Sequence, residues 1–320
     1  MAETMMATYL VTGAAGFIGS HLVDALLGGG HTVRGLDDFS TGRLEQLDPR
    51  CQVIRADVAD PIAVARAMRG VDGCFHLAAI ASVARTNEDW LGTHRTNQTG
   101  TITVLDTARR GLSALGGPVP VVYASSAAVY GDVGGRLAQE ELRPAPQTAY
   151  GADKLGSELH ARAAWLVHGV PTLGLRFFNV YGPRQNPCSP YTGVISIFSH
   201  RIAEGVAVHV HGDGEQVRDF VHVSDVVRHL IAGMGLLGSA PGGDVVNVAT
   251  GRGTSLRQLI AVLRDLHGAD PAVLHEPARR GDIRRSVGDP TLAQALLGLT
   301  ATVGLAAGLA TLPRRQTAAA

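Results

Sequence analysis

Gly13-Ala14-Ala15-Gly16-Phe17-Ile18-Gly19 stands immediately after the β-rich run Thr8–Val11 and opens a helical stretch, Phe17–Leu27. A strand that turns on glycine into a helix makes a seat for phosphates. Gly13 supplies the tight turn, Gly16 lets the backbone approach a pyrophosphate, and Gly19 lets the helix pack closely on the sheet. The unpaired N–H groups at the helix start, at Phe17 and Ile18, and the helix dipole then favour an anion. Three glycines alone are a weak signal in a chain that has 40 of them. Context strengthens it. Asp37 ends the second β-rich run 24 positions beyond Gly13, close to the offset at which an acid binds the adenosine ribose. A carboxylate there repels a 2′-phosphate, so NAD is favoured over NADP. A solvated turn is the plainer alternative for Asp37 and Asp38. Asp57, just beyond the third run, is suited to accept from the adenine amino group.

Outward from this stretch the same alternation continues. Strand-like runs at Thr32–Asp37, Gln52–Ala56, Gly73–Leu77, Val119–Ala124 and Thr172–Arg176 alternate with helical patterns at Ile62–Met68, Thr93–Arg110 and Ala152–Val167. The strand runs are continuously apolar, as strands covered on both faces are. The pattern predicts an α/β protein with a doubly wound parallel Rossmann sheet. After about Asn179 it loosens into Pro- and Gly-rich loops with helices at Ser224–Leu237 and Ser255–Leu266 and a strand at Val245–Val248. The expected organisation is an NAD-binding domain over 1–178 and a smaller mixed α/β part over 179–320. The second part would mainly bind substrate, and a segment of it can return to the Rossmann sheet.

Composition narrows the function classes. The 320 residues carry 28 basic and 28 acidic side chains, and a chain without excess positive charge is poorly suited to nucleic acid or an anionic membrane. Cys51, Cys74 and Cys188 are scattered, with neither a disulfide framework nor metal-ligand spacing, so a reducing cytoplasm and no metal are expected. Glu3 and the lack of a basic residue before the first apolar run make a poor signal peptide. Leu292–Leu312 is uncharged for 21 residues, nominally long enough to span a bilayer. It is mostly Ala, Gly and Thr, and reads better as a buried helix at Leu292–Leu297 followed by a short capping helix. Of the 28 basic residues, Lys154 alone is a lysine.

That lysine lies four residues after Tyr150, which puts both on one helix face. A tyrosine that acts as a base near neutral pH must lose a proton that ordinarily leaves near pH 10, a preference for phenolate of roughly 4 kcal/mol. One ammonium at about 5 Å supplies roughly 3 kcal/mol at an effective dielectric near 20, and the positive nicotinamide ring can add the rest. A compact ammonium can stay near the phenolate and hydrogen-bond a cofactor ribose, whereas a planar guanidinium takes a different geometry. Ser125 and Ser126 follow the strand Val119–Ala124 at the carboxyl edge of the sheet, where open α/β folds hold ligands. A hydroxyl there can steer a substrate proton toward Tyr150. A turn cap is the ordinary alternative.

As a set, these residues resemble the extended short-chain dehydrogenase/reductases, in particular the NAD-dependent sugar-nucleotide epimerases. The resemblance runs over nearly the whole chain. It rests on Gly13–Gly19, Asp37-Asp-Phe-Ser-Thr-Gly42, His76-Leu-Ala-Ala79, Ser125-Ser-Ala-Ala-Val-Tyr-Gly131 and Tyr150-Gly-Ala-Asp-Lys154. Further on it rests on Arg176-Phe-Phe-Asn-Val-Tyr-Gly-Pro-Arg184, Val217-Arg-Asp-Phe-Val-His222 and Arg279-Arg-Gly-Asp282. The resemblance implies Ser126, Tyr150 and Lys154 as the catalytic triad. It implies a cofactor site from Asp38, Phe39, Ser40, Thr41 and Gly42, from Asp57 and Val58, and from Leu77, Ala78 and Ala79. Asn97, Ser125 and Phe177 complete that site, with Phe177 beside the nicotinamide. Asn179, Arg184, Val194, Arg218, Arg279 and Asp282 are implied for the UDP-sugar, although a solvated basic run is the alternative for at least two of Arg279, Arg280, Arg284 and Arg285. A homodimer through Thr93–Arg110 and Ala152–Val167 is implied as well.

The implied reaction is 4-epimerisation of a UDP-sugar, of the UDP-glucose/UDP-galactose type, through a transient 4-keto sugar. Dehydratases and decarboxylases of this superfamily carry carboxylates just after the catalytic hydroxyl, where this chain has Ala127 and Ala128. Two other substrates stay open: UDP-glucuronate, if Arg184 faces a carboxylate, and UDP-GlcNAc, because a small Ser286 leaves room for an N-acetyl group. The non-enzyme alternative is an NAD-binding regulator that has lost turnover. Retention of Tyr150, Lys154 and Ser126 argues against it.

Overall fold

Residues 6–111, 113, 116–186, 193–278 and 282–313 are described by a computed structural model. In chain order, β1 (Thr8–Thr12), α1 (Phe17–Gly28), β2 (Thr32–Asp37), β3 (Gln52–Arg55), α2 (Pro61–Met68) and β4 (Gly73–His76) make the first half of the doubly wound unit. The helices α3 (Val83–Glu88), α4 (Trp90–His94) and α5 (Gly100–Ala108), then β5 (Val121–Ser126), α6 (Ala149–His168) and β6 (Thr172–Phe177), make the second half. All the strands expected from the sequence are present in this region, within two residues at each end. The strand expected to start at Val119 starts at Val121, because Pro120 has no N–H to give to a ladder.

One expectation is corrected. The single helix predicted over Thr93–Arg110 is α4 and α5 joined by a π-helical turn at Arg95–Thr99. The extra residue in that turn carries Asn97, whose side chain accepts the N–H of Ile80 at 2.8 Å and donates to its carbonyl at 3.3 Å. Such turns recur where a side chain must be re-aimed. Here the pull is tertiary and leaves no trace in the periodicity.

The remaining elements are β7 (Asn179–Tyr181), α7 (Val194–Ala203), β8 (Val208–His211), β9 (Val217–His222), α8 (Val223–Ser239), β10 (Gly243–Val248), β11 (Gly253–Ser255), α9 (Leu256–His267), β12 (Val273–Glu276), β13 (Arg285–Ser286), α10 (Thr291–Leu297) and α11 (Leu305–Leu309). The large sheet has seven parallel strands in the order β10-β6-β5-β4-β1-β2-β3. The chain runs outward from β1 to β3, then begins again at β4 on the other side of β1. That reversal opens a crevice at the carboxyl ends of β1 and β4, the usual ligand position in open α/β sheets. On the far edge β10 pairs with β6 over Gly243–Val248, so a late segment does complete the Rossmann sheet.

Two hydrophobic clusters cover the two faces. One includes Val11, Leu22, Leu26, Phe75, Leu175 and Leu230, and the other Leu10, Leu36, Val64, Cys74, Val104 and Val121. A third cluster, with Ile195, Phe198, Ile202, Val210 and Leu259, lies under the small sheets formed by β7, β9, β11 and β13 and by β8 with β12. The uncharged C-terminal stretch forms two short helices, α10 and α11, as expected, but α10 is not the buried helix anticipated: only Ala293 is buried and Gln294–Leu296 are exposed. Among the described residues no helix is long and apolar enough to cross a membrane.

Candidate active site

The glycine loop between β1 and α1 is a cradle whose floor a methyl group would fill. Gly13 has φ +68°, and a Cβ there would stand 2.7 Å from the backbone nitrogen of Ala78. A Cβ on Gly19 would overlap the carbonyl oxygen of Gly13. Helix α1 begins after Gly16 with no side-chain cap, which leaves its first-turn donors to a ligand. Across the crevice, the Thr12 hydroxyl accepts the N–H groups of Leu77 and Ala78, each at 3.2 Å, and fixes Leu77–Ala79 against the loop.

Asp37 joins this cradle directly. Its carboxylate accepts Ala15 N–H at 2.9 Å and Phe39 N–H at 2.8 Å. Burial raises its pKa, and those two amides partly counter the effect. Asp38 takes both the N–H and the hydroxyl of Ser40, and Arg43 N–H returns to Ala15 O at 3.1 Å. The segment Asp38–Gly42 is thereby folded onto the glycine loop. Phe39 has a positive φ of 60° and carries the Arg55 guanidinium 5.7 Å above its ring. An open cleft of about 520 Å³ lies on the outer side of this segment, lined by Phe39, Gly42, Arg43, Leu44, Val53 and Arg55 among others. Tyr150, Lys154 and Ser126 do not line it. Asp57 pairs with Arg95 at 2.9 Å, and Val58 is buried beside it.

Ser126, Tyr150 and Lys154 come together on β5 and α6. Thr148 caps α6 by accepting Gly151 N–H at 3.0 Å, which starts the helix three residues before the predicted Ala152. Lys154, only 5% exposed, donates to the carbonyl of Ala124 at 2.8 Å and lies 5.9 Å from the centroid of the Tyr150 ring. Burial lowers the lysine pKa to about 8, with Asp153 acting in the opposite direction. It is therefore still mostly protonated at pH 7. Burial raises the Tyr150 phenol, and a hydrogen bond from Ser126 lowers it. Phe177 stands opposite Ser126 in the β5–β6 register.

Two of the expected site residues also have partners within the chain. The Ser125 hydroxyl, expected at the cofactor, donates to Glu158 Oε1 at 2.5 Å in a buried position. Arg184, expected at the substrate, forms an ion pair at 2.6 Å with Asp24 of α1. A partner 160 residues away in sequence leaves no local signal. Of the other substrate candidates, Asn179 is exposed on β7, Val194 opens α7, and Arg218 pairs with Asp282 at 2.6 Å. Arg279 and Arg280 lie outside the described residues, as does Cys188. Among the described residues there is no cluster that could hold a metal ion.

Sequence reasoning also missed a buried polar relay. His76 bonds Thr12 Oγ1 at 2.8 Å and Thr101 Oγ1 at 3.0 Å, which links the glycine-loop strand to the helix of Asn97. Glu158, one turn beyond Lys154, was legible only as a charge on a face that should be apolar.

A family model described as "NAD dependent epimerase/dehydratase family" matches residues 9–249. A UDP-glucose 4-epimerase of Mycolicibacterium smegmatis is 38% identical over 309 residues, covering 94% of this chain and 96% of that protein. A dTDP-glucose 4,6-dehydratase of Streptomyces griseus is 37% identical over 314 residues, covering 94% and 91%. The crystal structure of a UDP-glucose 4-epimerase of Thermotoga maritima with UDP-glucose is 35% identical, covers 95% of this chain and 96% of its own, and superposes with a TM-score of 0.88.

Proposed function

Because the chain belongs to the NAD dependent epimerase/dehydratase family, we propose that it is an isomerase that inverts C4 of a UDP-sugar. NAD is the cofactor, and the cradle closed by Gly13, Gly19 and Asp37 fits it. When bound, it supplies the acceptor and donor of hydride. The chain's own residues handle the proton. Tyr150 takes it from the sugar 4-hydroxyl and returns it, Ser126 holds the same oxygen, and Lys154 stabilises the phenolate. The sugar passes through a 4-keto form that turns over before reduction on its opposite face. Arg218, held by Asp282, grips the diphosphate by charge-assisted bonds, with Asn179 and Val194 as further substrate ligands and Arg279 assigned to the same task from its sequence motif alone. In this reading the part beyond residue 178 mainly serves the UDP-sugar, and the chain pairs as a cytoplasmic homodimer through α4–α5 and α6.

The observation that carries epimerisation over dehydration is the turn behind Ser126. It holds Ala127 and Ala128, with Ala128 N–H donating to Ser126 Oγ at 3.1 Å. The nearby carboxylates are engaged elsewhere: Glu140 accepts Asn247 N–H and Glu158 holds Arg176. No side chain of this turn can remove or deliver a second proton. A second substrate reading has its own support. Ser286 on β13 faces Arg218 in the register with β9, and its small side chain favours an N-acetylhexosamine. The pairing of Arg184 with Asp24 weighs against UDP-glucuronate.

Purified protein incubated with UDP-glucose, UDP-GlcNAc or UDP-glucuronate, with no added NAD, is expected to give the C4 epimer of at least one of them by NMR. Absence of any epimer from all three rejects the proposal.

A further inference from the structure

Three successive residues of β5 meet three residues on one face of α6. Ala124 O receives the Lys154 ammonium, the Ser125 hydroxyl meets Glu158, and Ser126 meets Tyr150. Tyr150, Lys154 and Glu158 are spaced by four, so they stack along a single stripe of the helix.

Glu158 is in turn fixed from behind. Arg176 of β6 gives Nε to Oε1 and Nη2 to Oε2, both at 2.8 Å. Its Nη1 donates to Tyr130 Oη at 2.9 Å, and Tyr130 donates to Asn247 Oδ1 at 2.7 Å. Asn247, on β10, donates to the carbonyls of Ala138 and Asp289. Ser125, Glu158, Arg176, Tyr130 and Asn247 are each more than nine-tenths buried. The links from Glu158 through Arg176 and Tyr130 to Asn247 are hydrogen bonds of ordinary length, 2.7–2.9 Å, and the Ser125–Glu158 link is shorter still.

A buried ion pair is a poor way to gain stability, since desolvation offsets most of the attraction. Apolar residues would serve the core as well. What this network does that an apolar core cannot is set one rotation and one height of α6 against the end of β5. We infer that Glu158, locked by Arg176 and reaching Ser125, is a positioning residue that sets the helix carrying Tyr150 and Lys154 in register with Ser126. The inference rests on the reading of Tyr150, Lys154 and Ser126 as the reacting groups.

Ser125→Ala is the mild test, because Glu158 keeps both Arg176 bonds and no charge is stranded. The expected result is a kcat lower by ~10- to 100-fold, as for a displacement of a reacting group by a fraction of an ångström to 1 Å. KM for the UDP-sugar and bound NAD per chain should stay within about twofold, the signature of a loss confined to the transition state. Ser125→Thr, which keeps the hydroxyl, should restore most of the turnover. In the same variants the Tyr150 phenol, titrated by ultraviolet difference against Tyr150→Phe, should move upward in Ser125→Ala alone.

A Ser125→Ala enzyme with wild-type kcat overturns the inference. So does a kcat loss matched by equal losses of bound NAD and folded protein, which a purely structural hydroxyl would give. If the wild type epimerises none of the three sugars, the functional reading fails by itself. The phenol titration then still decides the positioning role: an upward shift in Ser125→Ala upholds it, and no shift overturns it.

Discussion

Asp37 Oδ2 accepts the amide of Ala15 at 2.9 Å, so the acid that ends β2 is bonded directly to the glycine loop that follows β1. Its other oxygen takes Phe39 N–H. The carboxylate thus ties the glycine loop to the segment that begins at Phe39, beyond any repulsion it would exert on a 2′-phosphate. Asp37→Ala removes two bonds to a charged acceptor, each worth about 1.5–3 kcal/mol. Bound NAD per purified chain should fall at least ~10-fold, and discrimination against NADP should weaken. Chromatography of the nucleotide released on denaturation measures both. Unchanged NAD content would show that Asp37 is a passive turn residue.

The glycines of α1 are not equivalent. Gly19→Ala would drive a methyl into the carbonyl of Gly13, whereas nothing lies within 4 Å of a Cβ on Gly28. Gly28→Ala should therefore stabilise by ~0.5–1 kcal/mol through helix propensity. Gly19→Ala should lower Tm by many degrees and prevent NAD loading. Thermal melts of the two variants test the contrast, and equal effects would contradict it.

Lys154→Arg should lower kcat by ~100-fold or more while the fold survives. The slot between Ala124 and Tyr150 admits one buried ammonium, and a guanidinium is planar and larger. Arg66→Lys, on the exposed face of α2, should leave kcat unchanged. Steady-state kinetics with circular dichroism distinguishes lost chemistry from lost structure.

His76 makes stability fall in acid. Burial, with a smaller contribution from the Lys154 charge, pushes its pKa from 6.5 down to about 3. Between those values the unfolded chain binds the proton and the folded chain does not. Stability is then complete above pH 6.5 and is lost as pH falls toward 3, by ~3–5 kcal/mol in all. His76→Gln should flatten that part of the Tm-versus-pH curve relative to wild type, and parallel curves would refute the assignment.

Much of the fold was legible because it is written locally. Thr8–Thr12, Thr32–Asp37 and Gly73–His76 are short apolar runs with punctuated ends, and Gly13–Gly19 fixes how the first of them turns. The break of the helix at Arg95–Thr99 was not legible, since Asn97 answers to Ile80 across space. Arg184 illustrates the same limit at the site. Its residue type suits an anion, but only the fold reveals that Asp24 pairs with its Nη2. Tyr150 and Lys154 were readable because their partnership is a helical spacing. Glu158, Arg176 and Asn247 were not, because their partnership joins helix α6 to two strands, β6 and β10, that lie far apart in sequence.

The place of β10 in the sheet bears on how the chain is made. During synthesis, β6 emerges at Thr172–Phe177 with a bare edge, and the strand that covers it ends only at Val248. Helix α8, which covers one face of the same sheet, is made just before that strand. A nascent chain halted at residue 178 therefore exposes both an unpaired parallel edge and a naked apolar surface, the two features that invite aggregation. The strand that covers β6 is complete only 70 residues after position 178, so truncation at 178 should give an insoluble product where truncation past α10 need not.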